Sequence, residues 1–190
     1  HATHPHIPPF LSKGGAGGVT LLRQLIFSRR QPMKPHLYIL LSLLLLHADS
    51  FPQRVTIHHI DIAQGDATLI RTSNGKAILI DAGDTGKGED VILPYLQNLG
   101  ITSIDYLVAS HYHSDHIGAI DEIVEGLSPD SIRTVLDRGS TPPLPTTKAF
   151  RQYWSAAQTT FRHQTVYPGQ SIKLTDELSL QCLAVDGVVL

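Results

Sequence analysis

The chain of 190 residues is long enough for one folded domain with an additional N-terminal segment. Its content of 42% hydrophobic and 17% charged residues excludes global disorder. Residues 1–50 hold five Lys and Arg and one Asp, whereas residues 51–190 hold ten Lys and Arg and sixteen Asp and Glu. This acidic second part excludes a strong basic surface for nucleic acid. The single cysteine, Cys182, excludes a disulfide scaffold.

Residues 33–50 have the features of a signal peptide. A basic start at Met33 precedes a ten-residue apolar run, 37–46, and small residues permit cleavage after Ser50. A bilayer crossing needs about 20 residues, so no stable membrane span is expected after cleavage. We predict a secreted or periplasmic protein, with a retained anchor or a buried helix as alternatives. Residues 1–32 show no helix or strand period, and they are predicted to be a non-native or disordered upstream extension.

The pattern becomes regular in residues 51–190. Strands are predicted at 54–61, 67–71, 76–81, 104–110 and 131–136, with further short strands between 164 and 185. Helices are predicted over 89–99, 117–124 and 148–158. Asn74 and Gly75 predict a hairpin between the second and third strands, and Pro94 is expected to shorten or kink the first helix. Strands that alternate with helices after a hairpin favour a layered α/β protein.

The hexapeptide 111–116 (HYHSDH) concentrates ligand-type side chains directly after the fourth predicted strand, and it holds three of the six histidines in 51–190. His111 and His113, two residues apart on an extended chain, project to the same side and can chelate one ion. Asp115 and His116 add an oxygen and a nitrogen donor. One tetrahedral ion with an open position cannot use all four, so two ions are predicted, with Asp115 and His116 on the second. Such donors suit zinc, manganese or iron.

The hexapeptide matches the His-x-His-x-Asp-His signature, and the chain therefore resembles the metallo-β-lactamase superfamily. Its context is most similar to the hydrolase domain at the C-terminus of ComEC-type DNA-uptake channel proteins. The matching elements are the strand and turn at 60–67 (IDIAQGDA), the Ile-Asp-Ala-Gly element at 80–83 and the Leu-Val-Ala-Ser strand at 107–110. The resemblance covers about residues 54–185.

The resemblance implies a four-layered αβ/βα sandwich with the metal ions at one edge. Further ligands of the superfamily come from loops well downstream, and this sequence ends at Leu190. Mainly the N-terminal half of the sandwich is therefore expected in the domain at 51–190, as in a fragment of a longer protein.

The resemblance also implies roles for single residues. His111 and His113 would hold the first ion, and Asp115 and His116 the second. Asp115 would be the catalytic residue that orients a metal-bound hydroxide. Asp81 would brace the metal loop without binding an ion.

Three further polar residues are expected to have other roles. Gln64 and Asp66 are expected to serve turn geometry, with Gly65 supplying an unusual backbone angle. His163 has no ligand-type neighbour in the sequence, and we predict that it lies on the surface.

The predicted function is hydrolysis that uses a hydroxide bound by two divalent ions, zinc above all. The favoured substrates are phosphodiesters, either small molecules or nucleic acid, because two ions can clamp the attacking and the leaving oxygens. Hydrolysis of an amide, lactone or thioester is one alternative, and a non-catalytic metal-binding fragment is the other. The sequence indicates no oligomeric state.

Overall fold

The computed structural model describes residues 34–36 and 54–190. The predicted upstream extension, and the predicted signal peptide apart from residues 34–36, lie outside the described residues and stay predictions. In the described part, no helix has the length and apolar character that a bilayer crossing requires.

Within residues 54–190, six strands make one mixed sheet in the order β1-β2-β3-β4-β5-β6. They are β1 (Val55–His59), β2 (Thr68–Thr72), β3 (Ala77–Ile80), β4 (Tyr106–Val108), β5 (Val135–Asp137) and β6 (His163–Thr165). The first three strands pair antiparallel, and β3 to β6 pair parallel. The predicted hairpin is confirmed, because β2 and β3 pair across a turn in which Gly75 has a φ of +88°.

Two short hairpins follow the sheet in sequence. They are formed by β7 (Ser171–Lys173) with β8 (Ser179–Gln181), and by β9 (Ala184–Val185) with β10 (Val188–Val189). The short strands predicted after residue 164 are therefore present, although each is only two or three residues long.

Residues 54–190 also form four α-helices. They are α1 (Leu93–Asn98), α2 (Ser114–Ile117), α3 (Ile120–Leu127) and α4 (Lys148–Thr159). The predicted helix at 89–99 is a π-helical turn, Gly88–Ile92, that leads into α1. Pro94 lies in the first turn of α1, where its missing N–H costs no helical hydrogen bond. The predicted helix at 117–124 is divided, because Ala119 (φ −112°, ψ 9°) leaves the helical conformation between α2 and α3.

The helices pack on one face of the sheet. Their contact forms the main hydrophobic core, in which strand residues such as Leu79 and Leu107 meet helical residues such as Ile120 and Ile123, all fully buried. A smaller hydrophobic cluster lies on the opposite face of the sheet, where Ile78 packs beneath the hairpin formed by β7 and β8. The prediction of a layered α/β fold is therefore confirmed in the described residues as one sheet layer and one helix layer.

The topology brings several loops to one edge. Because β3 to β6 run parallel, their carboxyl ends lie at the same edge of the sheet. The connection from β1 to β2 reaches that edge as well, since β2 runs antiparallel to β3 and begins where β3 ends. The fold therefore places the hexapeptide, which follows β4, among the ends of its neighbouring strands.

A matched pair of substitutions tests which face carries the main core. We expect Ile123→Ala to cost about 2–5 kcal/mol of unfolding free energy, because Ile123 is fully buried between α3 and the sheet. The control Ile57→Ala, at a site that is 57% exposed, is expected to cost less than about 1 kcal/mol. Urea unfolding followed by circular dichroism measures both. Equal losses would contradict this assignment of the core.

Candidate metal centre

The predicted ligand residues lie at the carboxyl edge of the parallel strands. Asp81 follows β3 directly, the hexapeptide follows β4, and Asp137 is the last residue of β5. The turn at 60–67, between β1 and β2, lies beside them. Residues that are far apart in the sequence thus surround one loop.

His111 and His113 converge as their spacing predicts. His113 has an extended backbone (φ −75°, ψ 149°), and His113 Nδ1 lies 3.0 Å from His111 Nε2. Two nitrogens bound to one tetrahedral zinc ion lie roughly 3.3 Å apart, given Zn–N bonds of about 2.0–2.1 Å. Partial burial, together with the nearby His116 and His113, lowers the pKa of His111 and favours the neutral imidazole that can bind a metal.

Asp81 is the organising carboxylate of this site. It is 3% exposed, and its Oδ2 accepts a hydrogen bond from His116 Nδ1 at 2.8 Å. Its two oxygens also accept from the Ser110 backbone N–H at 2.8 Å and from Ser110 Oγ at 2.5 Å. Because a carboxylate only accepts, His116 Nδ1 carries the proton in this bond, and in the neutral ring Nε2 keeps its electron pair. This is the arrangement in which a carboxylate orients a metal-binding histidine.

The same carboxylate also reaches His111, through Ser110. The Ser110 hydroxyl gives its proton to Asp81, so its oxygen accepts from His111 Nδ1 at 3.1 Å. His111 therefore also keeps Nε2 without a proton, and it is this nitrogen that faces His113. The bracing position expected for Asp81 is found here, and it extends to two imidazoles.

The turn before β2 forms part of the wall of the site. Asp66 N–H donates to the Asp115 carbonyl at 3.3 Å, and Gly83 N–H donates to the Asp66 carbonyl at 3.0 Å. The Asp66 carboxylate is 72% exposed and lies 3.9 Å from His116 Nδ1. Gly65 has a φ of +98°, so the expected unusual angle is confirmed. Asp66 thus has a place beside the hexapeptide in addition to its part in the turn.

The donor chemistry fits divalent metal ions. Three imidazoles and nearby carboxylates provide nitrogen and oxygen donors without thiolate, and in the neutral rings of His111 and His116 the hydrogen bonds at Nδ1 leave Nε2 as a donor atom for a metal. In residues 34–36 and 54–190, however, no three His, Cys, Asp or Glu side chains are grouped closely enough to hold an ion. The assignment of His111, His113, Asp115 and His116 as ligands therefore stays a prediction.

A second buried carboxylate, Asp137, lies at the end of β5. Its Oδ2 accepts from the Tyr153 hydroxyl and from His163 Nε2, the latter at 2.7 Å, and its Oδ1 accepts from Gly139 N–H at 2.8 Å. The side chain of His163 is only 14% exposed, so the prediction that His163 lies on the surface is wrong. Burial alone would raise the pKa of Asp137, but the hydrogen bonds from His163 and Tyr153 outweigh it and lower this pKa.

Comparisons with known proteins place the chain in a family. The sequence model described as "Metallo-beta-lactamase superfamily" matches residues 60–164. The chain is 36% identical over 63 residues to "Competence protein ComA" of Neisseria gonorrhoeae, which covers 33% of this chain and 9% of that protein. It is 30% identical over 82 residues to "ComE operon protein 3" of Bacillus subtilis (strain 168), which covers 35% of this chain and 11% of that protein. The chain thus spans about a tenth of the length of these relatives.

A solved structure gives a more distant likeness. The metallo-beta-lactamase SMB-1, in a complex with mercaptoacetic acid, matches with a TM-score of 0.43 and 20% sequence identity. The match covers 70% of this chain and 53% of that one.

The contact between the turn and the hexapeptide can be tested at Gly65. A Cβ there would lie 1.9 Å from the Asp115 carbonyl oxygen, whereas a Cβ at Gly75 (φ +88°) would meet nothing within 4 Å. Alanine at either site carries the left-handed penalty of about 1–2 kcal/mol. We expect Gly65→Ala to cost about 1–3 kcal/mol beyond Gly75→Ala, since it also overpacks the site. Urea unfolding measures the difference, and equal losses would show that the turn moves aside freely.

The pKa of Asp137 gives a pH-dependent prediction. Because this pKa is lower in the folded than in the unfolded chain, ionised Asp137 stabilises the fold above pH about 4, and the contribution disappears as the pH falls further. We expect Asp137→Asn to be about 1–3 kcal/mol less stable than wild type at pH 7, with a smaller gap at pH 3. Urea unfolding at both pH values measures this gap. A gap that does not change with pH would contradict the prediction.

Proposed function

Because the chain belongs to the metallo-β-lactamase superfamily of metal-dependent hydrolases, we propose that it hydrolyses a phosphodiester with the help of two divalent ions, zinc in the first place. The observation that carries the proposal is the bonding of Asp81. This buried carboxylate fixes the protonation of His116 directly and that of His111 through Ser110, and it leaves Nε2 of both rings as an electron-pair donor.

The residues of the hexapeptide divide into two pairs. His111 and His113 would hold one ion, since their nitrogens already lie 3.0 Å apart. Asp115 and His116 would hold the other. When bound, such ions supply a water nucleophile at neutral pH and stabilise negative charge on the reacting group. The Asp115 carboxylate would accept a hydrogen bond from the attacking water and orient it, which is why we propose Asp115 as the catalytic residue.

The acidic character of residues 51–190 limits the size of the phosphodiester that the chain could attract. Residues 51–190 hold ten basic and sixteen acidic residues, so attraction of a phosphodiester would depend on the ions rather than on a broad protein surface. This favours a small substrate or a short stretch of nucleic acid. The names of the two competence-protein relatives are compatible with a phosphodiester substrate. Amide, lactone and thioester substrates are the alternatives.

Metal content and substrate range test the proposal together. The full chain, purified and then dialysed against zinc or manganese, is expected to bind two ions by elemental analysis. It should hydrolyse bis(p-nitrophenyl) phosphate faster than a β-lactam, a lactone or a thioester. Asp115→Asn should lower that rate at least about 100-fold, because the second ion would lose an anionic ligand and the water would lose its orienting acceptor. The matched control is Asp130→Asn, at an exposed residue near the start of β5, and it should keep the wild-type rate.

Each outcome has a distinct meaning. A chain that binds no divalent ion would overturn the proposal as a whole. A chain that binds ions without hydrolysing any of these substrates would favour the non-catalytic alternative. Faster hydrolysis of the lactam, lactone or thioester would keep the metal centre and overturn the phosphodiester assignment.

A further inference from the structure

We propose that Tyr112, the residue between His111 and His113, is a positioning residue that sets the separation of their ligand nitrogens. This inference rests on the proposed function, because it assigns the two histidines to one metal ion. Tyr112 itself binds no ion in this scheme. It acts as a buried anchor between the two residues that carry the imidazoles.

Burial separates Tyr112 from the two histidines that flank it. Tyr112 is only 5% exposed, whereas His113 is exposed and His111 is partly exposed. One buried side chain is therefore placed to control the direction of two imidazoles.

Four contacts hold Tyr112. Its hydroxyl donates to the Gly139 carbonyl at 2.8 Å. Its ring centre lies 5.0 Å from that of Phe150 and 5.6 Å from that of Tyr153, both in α4. The Arg138 guanidinium carbon lies 4.7 Å from the centre of the Tyr112 ring, within the range of a cation–π interaction.

The acceptor of the Tyr112 hydroxyl is itself fixed. Gly139 N–H donates to Asp137 Oδ1 at 2.8 Å, and Asp137 ends β5. The Tyr112 hydroxyl therefore ties the hexapeptide to β5, the strand beside the one it follows. Asp81 ties the same loop to β3 on the other side. Loss of the Tyr112 hydroxyl would release the tether to β5 without removing any metal donor.

The test compares two deletions of a single hydroxyl in the full chain. Tyr112→Phe removes the bond to Gly139 and keeps the ring. Tyr95→Phe is the control, because the Tyr95 hydroxyl bonds His58 Nδ1 at 2.9 Å and lies outside the hexapeptide. Zinc affinity is measured by competition with a chromophoric chelator, and cobalt absorption spectra report ligand geometry. Imidazole ¹H–¹⁵N spectra of the metal-free chains report the hydrogen bond between His111 and His113.

We expect Tyr112→Phe to bind zinc about tenfold more weakly than wild type, the size of effect that residues supporting metal ligands produce. Its cobalt spectrum and its His111 and His113 imidazole signals should also change. Tyr95→Phe should match wild type in all three readouts.

The proposal is overturned if Tyr112→Phe keeps wild-type zinc affinity and imidazole signals, even if its melting temperature falls, because the role of Tyr112 would then be stability alone. It is also overturned if Tyr95→Phe weakens zinc binding equally. Should the wild-type chain bind no metal, the proposed function fails. The metal-free imidazole spectra then decide separately whether Tyr112 positions the two rings.

Discussion

The site depends on one buried carboxylate, Asp81. Only 3% of Asp81 is exposed. Burying an ionised carboxylate costs free energy unless its oxygens accept hydrogen bonds. The Asp81 oxygens accept from Ser110 N–H, Ser110 Oγ and His116 Nδ1. The loop after β4 supplies all three of these donors. The stability of this loop and the protonation of its imidazoles are thus set by the same bonds.

This arrangement needs an unusual backbone. Asp81 has a φ of +58°, in the left-handed region that few residues other than Gly, Asn and Asp adopt readily. A short acidic side chain tolerates that conformation and supplies the acceptors, so one residue serves both purposes. An alanine in this place would lose the acceptors, whereas a glycine would keep the backbone and leave two histidines without their orienting group.

The sequence predicted the parts of the structure that depend on local patterns. The hairpin at Asn74 and Gly75, the order of strands and helices and the dense hexapeptide follow from residues within a few positions of each other. The bond between His163 and Asp137 was not predictable in this way. These residues lie 26 positions apart and meet only because β6 pairs parallel with β5. The hexapeptide shows what side chains are present, but the pairing of strands decides which of them are buried.

Two buried carboxylates lie at the strand ends of this edge. Asp81 after β3 and Asp137 at the end of β5 flank the loop that follows β4, and each is buried among donors rather than exposed to solvent. A buried acceptor that must be satisfied restricts its donors to few conformations, because every other conformation leaves the charge unpaired. The loop between them is therefore held by groups that cannot relax without cost. In the proposed metal centre, such an ordered loop would lower the entropy that is lost when its side chains gather around an ion.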